Sequence, residues 1–110
     1  MNWIALQSIA QLEEILSRQS PSLLFKHSTR CSISSVALER LNKSSLSDRV
    51  NAYLLDLLSY RSISDAIATR LQVHHESPQV LLVKNGECCY DESHLSITAA
   101  DLEKELDKIL

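Results

Sequence analysis

One of the three cysteines stands where a nucleophile is expected. Cys31 follows a polar segment, 27–30, and precedes a stretch whose apolar residues recur at helical spacing from Ser32 onward. A thiol at a helix start faces unpaired backbone N–H groups and the positive end of the helix dipole, which stabilise a thiolate. Arg30 adds positive charge beside it. We therefore expect Cys31 to be the reactive thiol; the alternative is a small buried hydrophobic residue.

Ser34 occupies the position that holds the second thiol of a C-x-x-C motif. A serine cannot form a disulfide, but its hydroxyl can donate a hydrogen bond to the Cys31 thiolate. The other cysteines, Cys88 and Cys89, are adjacent on a predicted strand and so point to opposite faces. We expect them to fill space, with a late resolving role as the alternative. An odd count with an adjacent pair predicts no disulfide framework and favours a reducing compartment.

Histidine and arginine side chains are candidates for contacts with a substrate. His27 and His94 lie at the ends of predicted strands, and Arg61 is placed to anchor a carboxylate. Ordinary surface positions are the alternative for all three residues. The four histidines lack the short, regular spacing of zinc ligands, so we expect no metal site.

The elements that position these residues are predicted from hydrophobic periodicity, helix caps and turn signals. Strands are predicted at 3–6, 22–26, 50–56, 80–83 and 87–91. Helices are predicted from a Ser8 cap to about Arg18, over 32–42, from a Ser62 cap, and from Thr98 to Ile109. The apolar side of the second helix is predicted to hold Ile33, Val36, Ala37, Leu38 and Leu41.

The resulting order is β-α-β-α-β-α-β-β-α. Strands that alternate with helices predict parallel pairing and right-handed crossovers, and Asn85-Gly86 predicts a hairpin that adds an antiparallel edge. We therefore predict an α/β class with a central mixed β-sheet flanked by helices, which is the thioredoxin-like fold. Its 110 residues suit a single domain over 1–110.

Pro78 stands just before the clearest strand. In a thioredoxin-like fold this place holds a cis-proline that faces the active cysteine. The backbone of the preceding residue, Ser77, then pairs with an incoming thiol substrate. An ordinary trans proline at a strand boundary is the alternative.

Composition and charge exclude several other classes of protein. The chain is 45% hydrophobic and 23% charged, with a formal net charge of −3, which is typical of a globular domain. A nucleic-acid binder needs a concentrated basic face, so no nucleic-acid partner is expected. No run reaches the length of a membrane span, and the N-terminus lacks the pattern of a signal peptide. We expect a cytoplasmic protein with no membrane partner.

Several segments together resemble the monothiol bacilliredoxins, the YtxJ-like proteins of bacteria that use bacillithiol as their low-molecular-weight thiol. The segments are 25–34 around the thiol, 55–57 with Arg61 and 63–64, 75–80 around Pro78, and 84–86 with 93–94 and 97–98. The family pattern around the thiol is Thr-Cys-Pro-Ile-Ser. Here Arg30 replaces the threonine and Ser32 replaces the proline.

The resemblance implies a thiol–disulfide oxidoreductase of the monothiol type. The Cys31 thiolate attacks the sulfur of a small thiol held on a client protein, and a second small thiol or a reductase completes the cycle. No bound cofactor is expected; a bacillithiol-like thiol is the co-substrate, and S-thiolated proteins are the partners. The residues expected to bind substrate are His27, Thr29, Arg30, Ser34, Arg61, Ser77, Pro78 and His94.

Two other functions stay open on the sequence. A thioredoxin-like binding or stress-adaptor protein without turnover is favoured by the changes at Arg30 and Ser32 and by the missing second cysteine. An arsenate-reductase-like enzyme needs basic residues gathered around an oxyanion, and Arg30 and Arg61 alone support it weakly.

Overall fold

Five strands and four helices alternate along the chain in the predicted order. The computed structural model describes residues 1–110. The strands are β1 (Trp3–Ala5), β2 (Ser22–His27), β3 (Asn51–Asp56), β4 (Gln79–Lys84) and β5 (Glu87–Ser93). The helices are α1 (Ile9–Ser17), α2 (Ser32–Asn42), α3 (Arg61–Leu71) and α4 (Ala99–Ile109), with 3₁₀ turns at Leu46–Asp48 and His94–Ser96. None of the helices has the length and apolarity needed to cross a membrane.

The strands form one mixed sheet in the order β1-β3-β2-β4-β5. β3 pairs in parallel with β1 and β2, whereas β4 pairs antiparallel with β2 and β5. β2 is the middle strand, and all of its residues are buried, which explains its nearly continuous apolar run. The predicted α/β class with a central mixed sheet is confirmed. The carboxyl end of β2 leads through a short loop to Cys31.

β4 runs against the direction that simple alternation of strands and helices predicts. Its register with β2 pairs Lys26 with Gln79 and Ser22 with Val83, so β4 starts at the carboxyl end of β2. The 11-residue α3 carries the chain away from that end by about 16 Å. Residues 72–78 connect α3 to β4 and can span about 23 Å when extended. This connection is long enough to return the chain, and it therefore allows the antiparallel direction of β4.

Helices cover both faces of the sheet, and each face carries its own hydrophobic core. α1 and α3 pack on the face that includes Leu24 and Leu81. α2 and α4 pack on the face that includes Phe25 and Leu82. Because side chains alternate along a strand, neighbouring residues of β2 belong to different cores. Lys26 shares the strand face of Leu24 and is fully buried.

Side-chain caps fix two helix starts where the sequence predicts them. The Ser8 hydroxyl accepts a hydrogen bond from the backbone N–H of Gln11 (3.1 Å) at the start of α1. The Thr98 hydroxyl accepts one from the backbone N–H of Asp101 (3.2 Å) at the start of α4. Both contacts satisfy a donor that the helix itself leaves unpaired.

The predicted Ser62 cap of the third helix is wrong. α3 begins at Arg61, and its capping residue, Tyr60, makes no side-chain cap bond. The backbone N–H of Tyr60 donates to the Asp56 carbonyl (3.0 Å), so a turn directly after β3 sets the helix start. Ser62 therefore lies inside the first turn of α3.

The hairpin predicted at Asn85-Gly86 is confirmed. Both residues have positive φ, 55° at Asn85 and 75° at Gly86, which is the backbone of a type I′ turn. β5 returns antiparallel along β4 from this turn, with Lys84 paired with Glu87.

The prediction of the apolar side of α2 is partly wrong. Ala37 and Leu41 are buried, but Ile33 and Val36 are 37% and 41% exposed. The buried residues, which also include Ser34, follow helical spacing along one stripe, and Ile33 and Val36 lie beside that stripe. The helix that begins after Cys31 therefore presents apolar side chains to solvent.

Candidate active site

Cys31 is the N-cap residue of α2. Its backbone N–H donates to the Ser28 carbonyl (3.2 Å), and its carbonyl accepts from the backbone N–H of Ser35 (3.1 Å). Cys31 is half-buried and free, and no side chain caps the helix. The N–H groups of the first turn therefore stay available to an anionic sulfur, which is the arrangement that favours a nucleophilic thiol.

Ser34 connects the loop that carries Cys31 to the end of β2 by hydrogen bonds. It is fully buried. Its hydroxyl accepts a hydrogen bond from the backbone N–H of Ser28 (3.0 Å) and shares another with Nδ1 of His27 (2.6 Å). The hydrogen bond to Cys31 that the sequence suggested is not formed in this structure. Because Ser34 lies on the buried stripe of α2, its hydroxyl faces β2 and the loop residues.

His27 is a nearly buried, neutral imidazole. Only 8% of the residue is exposed, and its ring lies 5.8 Å from that of Phe25. Burial lowers the pKa of His27, and the nearby Asp56 carboxylate opposes this shift only in part. Since the ordinary pKa of histidine is already below 7, His27 is uncharged at neutral pH.

The buried Lys26 side chain contacts His75, which is exposed, and this pair was not predicted from the sequence. The Lys26 ammonium lies 3.1 Å from Nδ1 of His75, and the Ser64 hydroxyl lies 3.4 Å from the same nitrogen. Burial lowers the pKa of Lys26 to about 8, with Asp65 acting in the opposite direction. Burial also lowers the pKa of His75, and the charge of Lys26 adds to this effect. A lysine inside an apolar strand was the available signal.

The Ser77–Pro78 segment lies at the carboxyl end of β2, as predicted. The peptide bond between Ser77 and Pro78 is cis, and the pairing of Lys26 with Gln79 places it beside the end of that strand. Pro78 is buried and Ser77 half-buried. The structure thus brings the proline segment to the same edge of the sheet as the loop of Cys31.

His94 contacts the proline segment. Its backbone N–H donates to the Pro78 carbonyl (3.0 Å), and its ring nitrogen Nε2 lies 3.4 Å from the Glu76 carboxylate. Its φ of 57° is left-handed backbone that few residues other than glycine adopt. Glu76 and His94 therefore flank Pro78.

The remaining predicted residues are exposed. Thr29 and Arg30 lie on the loop just before Cys31, and Arg61 is the first residue of α3. His, Cys, Asp and Glu side chains form no group of three that could hold a metal ion.

Cys88 lies at the far end of the sheet from Cys31. It pairs with Val83, which pairs with Ser22 at the start of β2, whereas Cys31 follows the end of that strand. Cys88 and Cys31 are therefore separated along the strand direction by the length of β2, about 16 Å. A disulfide needs Cα atoms within about 7 Å. Burial also raises the pKa of Cys88 to about 11, so its thiolate fraction at neutral pH is lower than that of an ordinary cysteine.

The strand order and the single thiol at the start of a helix, with a cis-proline segment at the same edge of the sheet, define a thioredoxin-fold protein of the monothiol type. A family model described as monothiol bacilliredoxin BrxC matches residues 4–102. The chain belongs to this family, as the sequence resemblance predicted.

Solved structures share the fold over nearly the whole chain. One, described as an oxidoreductase candidate with a thioredoxin fold, is 33% identical, with a TM-score of 0.84 over 93% of this chain and 91% of its own. The thioredoxins of Malassezia sympodialis and Trypanosoma brucei brucei are each 14% identical. Each match covers 98% of this chain and 90% of theirs, with TM-scores of 0.75 and 0.76. These two likenesses concern the fold alone.

Proposed function

We propose that the protein removes a bacillithiol-like, low-molecular-weight thiol from S-thiolated client proteins in a reducing cytoplasm. The observation that carries this proposal is the Cys31 thiol at an uncapped helix start, with the buried hydroxyl of Ser34 where a dithiol enzyme holds its second sulfur. Membership of the monothiol bacilliredoxin family supports the same reaction.

The reaction is an exchange that needs no bound cofactor. The Cys31 thiolate attacks the small thiol's sulfur in the mixed disulfide, and the client leaves as a thiolate that takes up a proton. One S–S bond breaks and one forms, so no external oxidant or reductant enters this step. Open N–H groups at the start of α2 stabilise the attacking sulfur before the exchange.

An external thiol must then release the adduct from Cys31. Ser34 cannot form a disulfide, and Cys88 with its neighbour Cys89 lies at the other end of the sheet, about 16 Å away. A second molecule of the small thiol attacks the adduct sulfur, and Cys31 leaves as a thiolate. The protein therefore depends on the supply of a small thiol, or of a reductase, to complete each cycle.

The client approaches along the proline segment and the exposed side of α2. Ser77 is half-buried beside the loop of Cys31, so its backbone groups can pair with an extended client chain. Ile33 and Val36 offer exposed apolar surface on the helix that follows the thiol. Arg30 and Arg61 are exposed cations available to carboxylates of the substrate.

The proposal is tested with a client protein carrying one bacillithiol, incubated with this protein and free bacillithiol. We expect the wild-type protein and a Cys89→Ser control to accelerate release of the client thiol, and Cys31→Ser to give only the slower release that free bacillithiol causes by itself. A glutathionylated copy of the same client measures the preference for the small thiol. Equal release by Cys31→Ser would overturn the proposal.

A stable complex between wild-type protein and client, without release of a free thiol, would also overturn the proposal. That result would support the alternative of an adaptor without turnover. Arg30 and Ser32, which differ from the family pattern, are both exposed beside the thiol. Restoring the family residues with Arg30→Thr and Ser32→Pro shows whether they limit the rate.

A further inference from the structure

A cleft of about 360 Å³ opens beside the thiol loop, at the carboxyl ends of the three parallel strands. Residues of β2, of the loop after it and of the segment after β3 contribute to its wall. The side chains that matter here are Leu6, Leu54, His27, Thr29, Asp56 and Tyr60. β3 separates β1 from β2, and β4 lies on the other side of β2. The cleft and the proline segment therefore lie on opposite sides of the β2 end.

Asp56 is the one charged side chain in the wall of this cleft. Its carboxylate accepts hydrogen bonds from the backbone N–H of Leu58 (3.2 Å) and the hydroxyl of Ser59 (3.0 Å). It forms no ion pair with any lysine or arginine. His27, which also lines the cleft, is nearly buried and supplies no positive charge at neutral pH. The cleft thus combines apolar walls with one uncompensated negative charge.

We propose that the cleft binds the small thiol that becomes bonded to Cys31, and that Asp56 selects thiols carrying a cationic amino group. This inference rests on the proposed exchange at Cys31 and names the chemical class of its small-thiol substrate. Thr29 lines the cleft and stands two residues before Cys31, so the cleft adjoins the loop that carries the sulfur. The apolar walls hold its carbon chain, and the Asp56 carboxylate attracts its ammonium group.

The proposal is tested with three symmetrical disulfides of similar length that differ in charge. Cystamine carries ammonium groups, bis(2-hydroxyethyl) disulfide is neutral, and 3,3′-dithiodipropionate carries carboxylates. In each case the Cys31 thiolate forms a new S–S bond with one half of the probe, and the other half leaves as a thiolate. Peptide mapping by mass spectrometry gives the rate at which the adduct forms on Cys31.

We expect Asp56→Asn to lower the ratio of the cystamine rate to the dithiodipropionate rate about fivefold. Because both rates are measured on the same protein, their ratio does not depend on the folded fraction or on the general reactivity of the thiol. Because the same probes are used on every variant, their intrinsic reactivities cancel when the ratios are compared. Glu87→Gln removes the same charge from an exposed site at the other end of the sheet and should leave the ratio unchanged. An equal fall in both variants, or no fall in Asp56→Asn, would overturn the proposal.

A second variant keeps the test decisive if Asp56→Asn disturbs the turn after β3. Gln7 lines the cleft and is exposed, so Gln7→Lys adds a cation there without removing a buried group. We expect Gln7→Lys to lower the cystamine-to-dithiodipropionate rate ratio, as Asp56→Asn does. A Thr69→Lys control on α3 should leave this ratio unchanged. If the variants still release the thiol of a bacillithiolated client and their cystamine-to-dithiodipropionate rate ratios are unchanged, the cleft is not the small-thiol site. The proposed function would then still hold.

Discussion

The Ser34 hydroxyl lies 2.6 Å from Nδ1 of His27, and both side chains are buried beneath the loop that carries Cys31. Ser34 also accepts the backbone N–H of Ser28. One serine therefore joins the end of β2, the loop and the first turn of α2. The residue that replaces the second thiol of a dithiol motif holds the first one in place.

Ser34→Ala is expected to destabilise the protein by about 1–3 kcal/mol, because it leaves two buried polar groups, on His27 and Ser28, without a partner. Denaturant unfolding gives the free energy of unfolding for both proteins. Ser35→Ala is the control, since Ser35 is exposed and its hydroxyl donates only to the Cys31 carbonyl (3.3 Å). A loss of similar size in both variants would show that Ser34 has no special role.

Ser34→Cys is expected to convert the protein to dithiol behaviour. The new thiol lies one helical turn from Cys31, within the separation that a disulfide spans. An adduct on Cys31 should then leave spontaneously as the internal disulfide forms, whereas wild type should keep its adduct. Mass spectrometry under non-reducing conditions distinguishes the two species. Rapid internal release in wild type that is abolished by changing Cys88 and Cys89 to serine would instead show that a distal cysteine resolves the adduct.

Lys26 makes the stability of the protein depend on pH in the alkaline range. Native Lys26 loses its proton near pH 8, because burial lowers its pKa to about 8 from 10.5. Between these values the unfolded chain binds more protons, so the free energy of unfolding should rise with pH. Relative to Lys26→Met, wild type should gain about 2 kcal/mol between pH 8 and pH 10. Lys104→Met, at an exposed site, is the control and should show no such gain.

Brief alkylation of the native protein should label Cys31 first. Cys88 should be the slowest of the three thiols, because burial raises its pKa to about 11 and the thiolate is the reactive form. Peptide mapping after a short exposure to iodoacetamide gives the order. First labelling of Cys88 or Cys89 with Cys31 unmodified would contradict the assignment of the reactive thiol.

Local sequence patterns predicted the elements of this fold well, but they did not predict the contacts between distant residues. The bounds of α2 were predicted at 32–42 and are Ser32–Asn42 in the structure, because periodicity is a local property. The direction of β4 depends on the connection after α3, which periodicity does not describe. Lys26 and His75 are 49 positions apart, and only the folded chain brings them together.

In the candidate site, too, features set by the local sequence could be predicted, whereas contacts made by the folded chain could not. Cys31 and the cis bond before Pro78 could be predicted, since a strand-to-helix junction and a proline before a strand mark these places in a thioredoxin-like fold. The partner of Ser34 could not be predicted, since Ser34 can bond either to the thiol or to groups beneath the loop. Ser34 lies on the buried stripe of α2, so its hydroxyl forms its hydrogen bond with His27 and not with the thiol.

The intact mass of the protein, followed over time after mixing with a bacillithiolated client, shows whether Cys31 carries out monothiol exchange. We predict that Cys31 gains the mass of one bacillithiol while the client loses it, and that this adduct persists until external thiol is added. An internal disulfide in place of the adduct, or a lasting disulfide between Cys31 and the client with the small thiol released, would contradict the monothiol exchange.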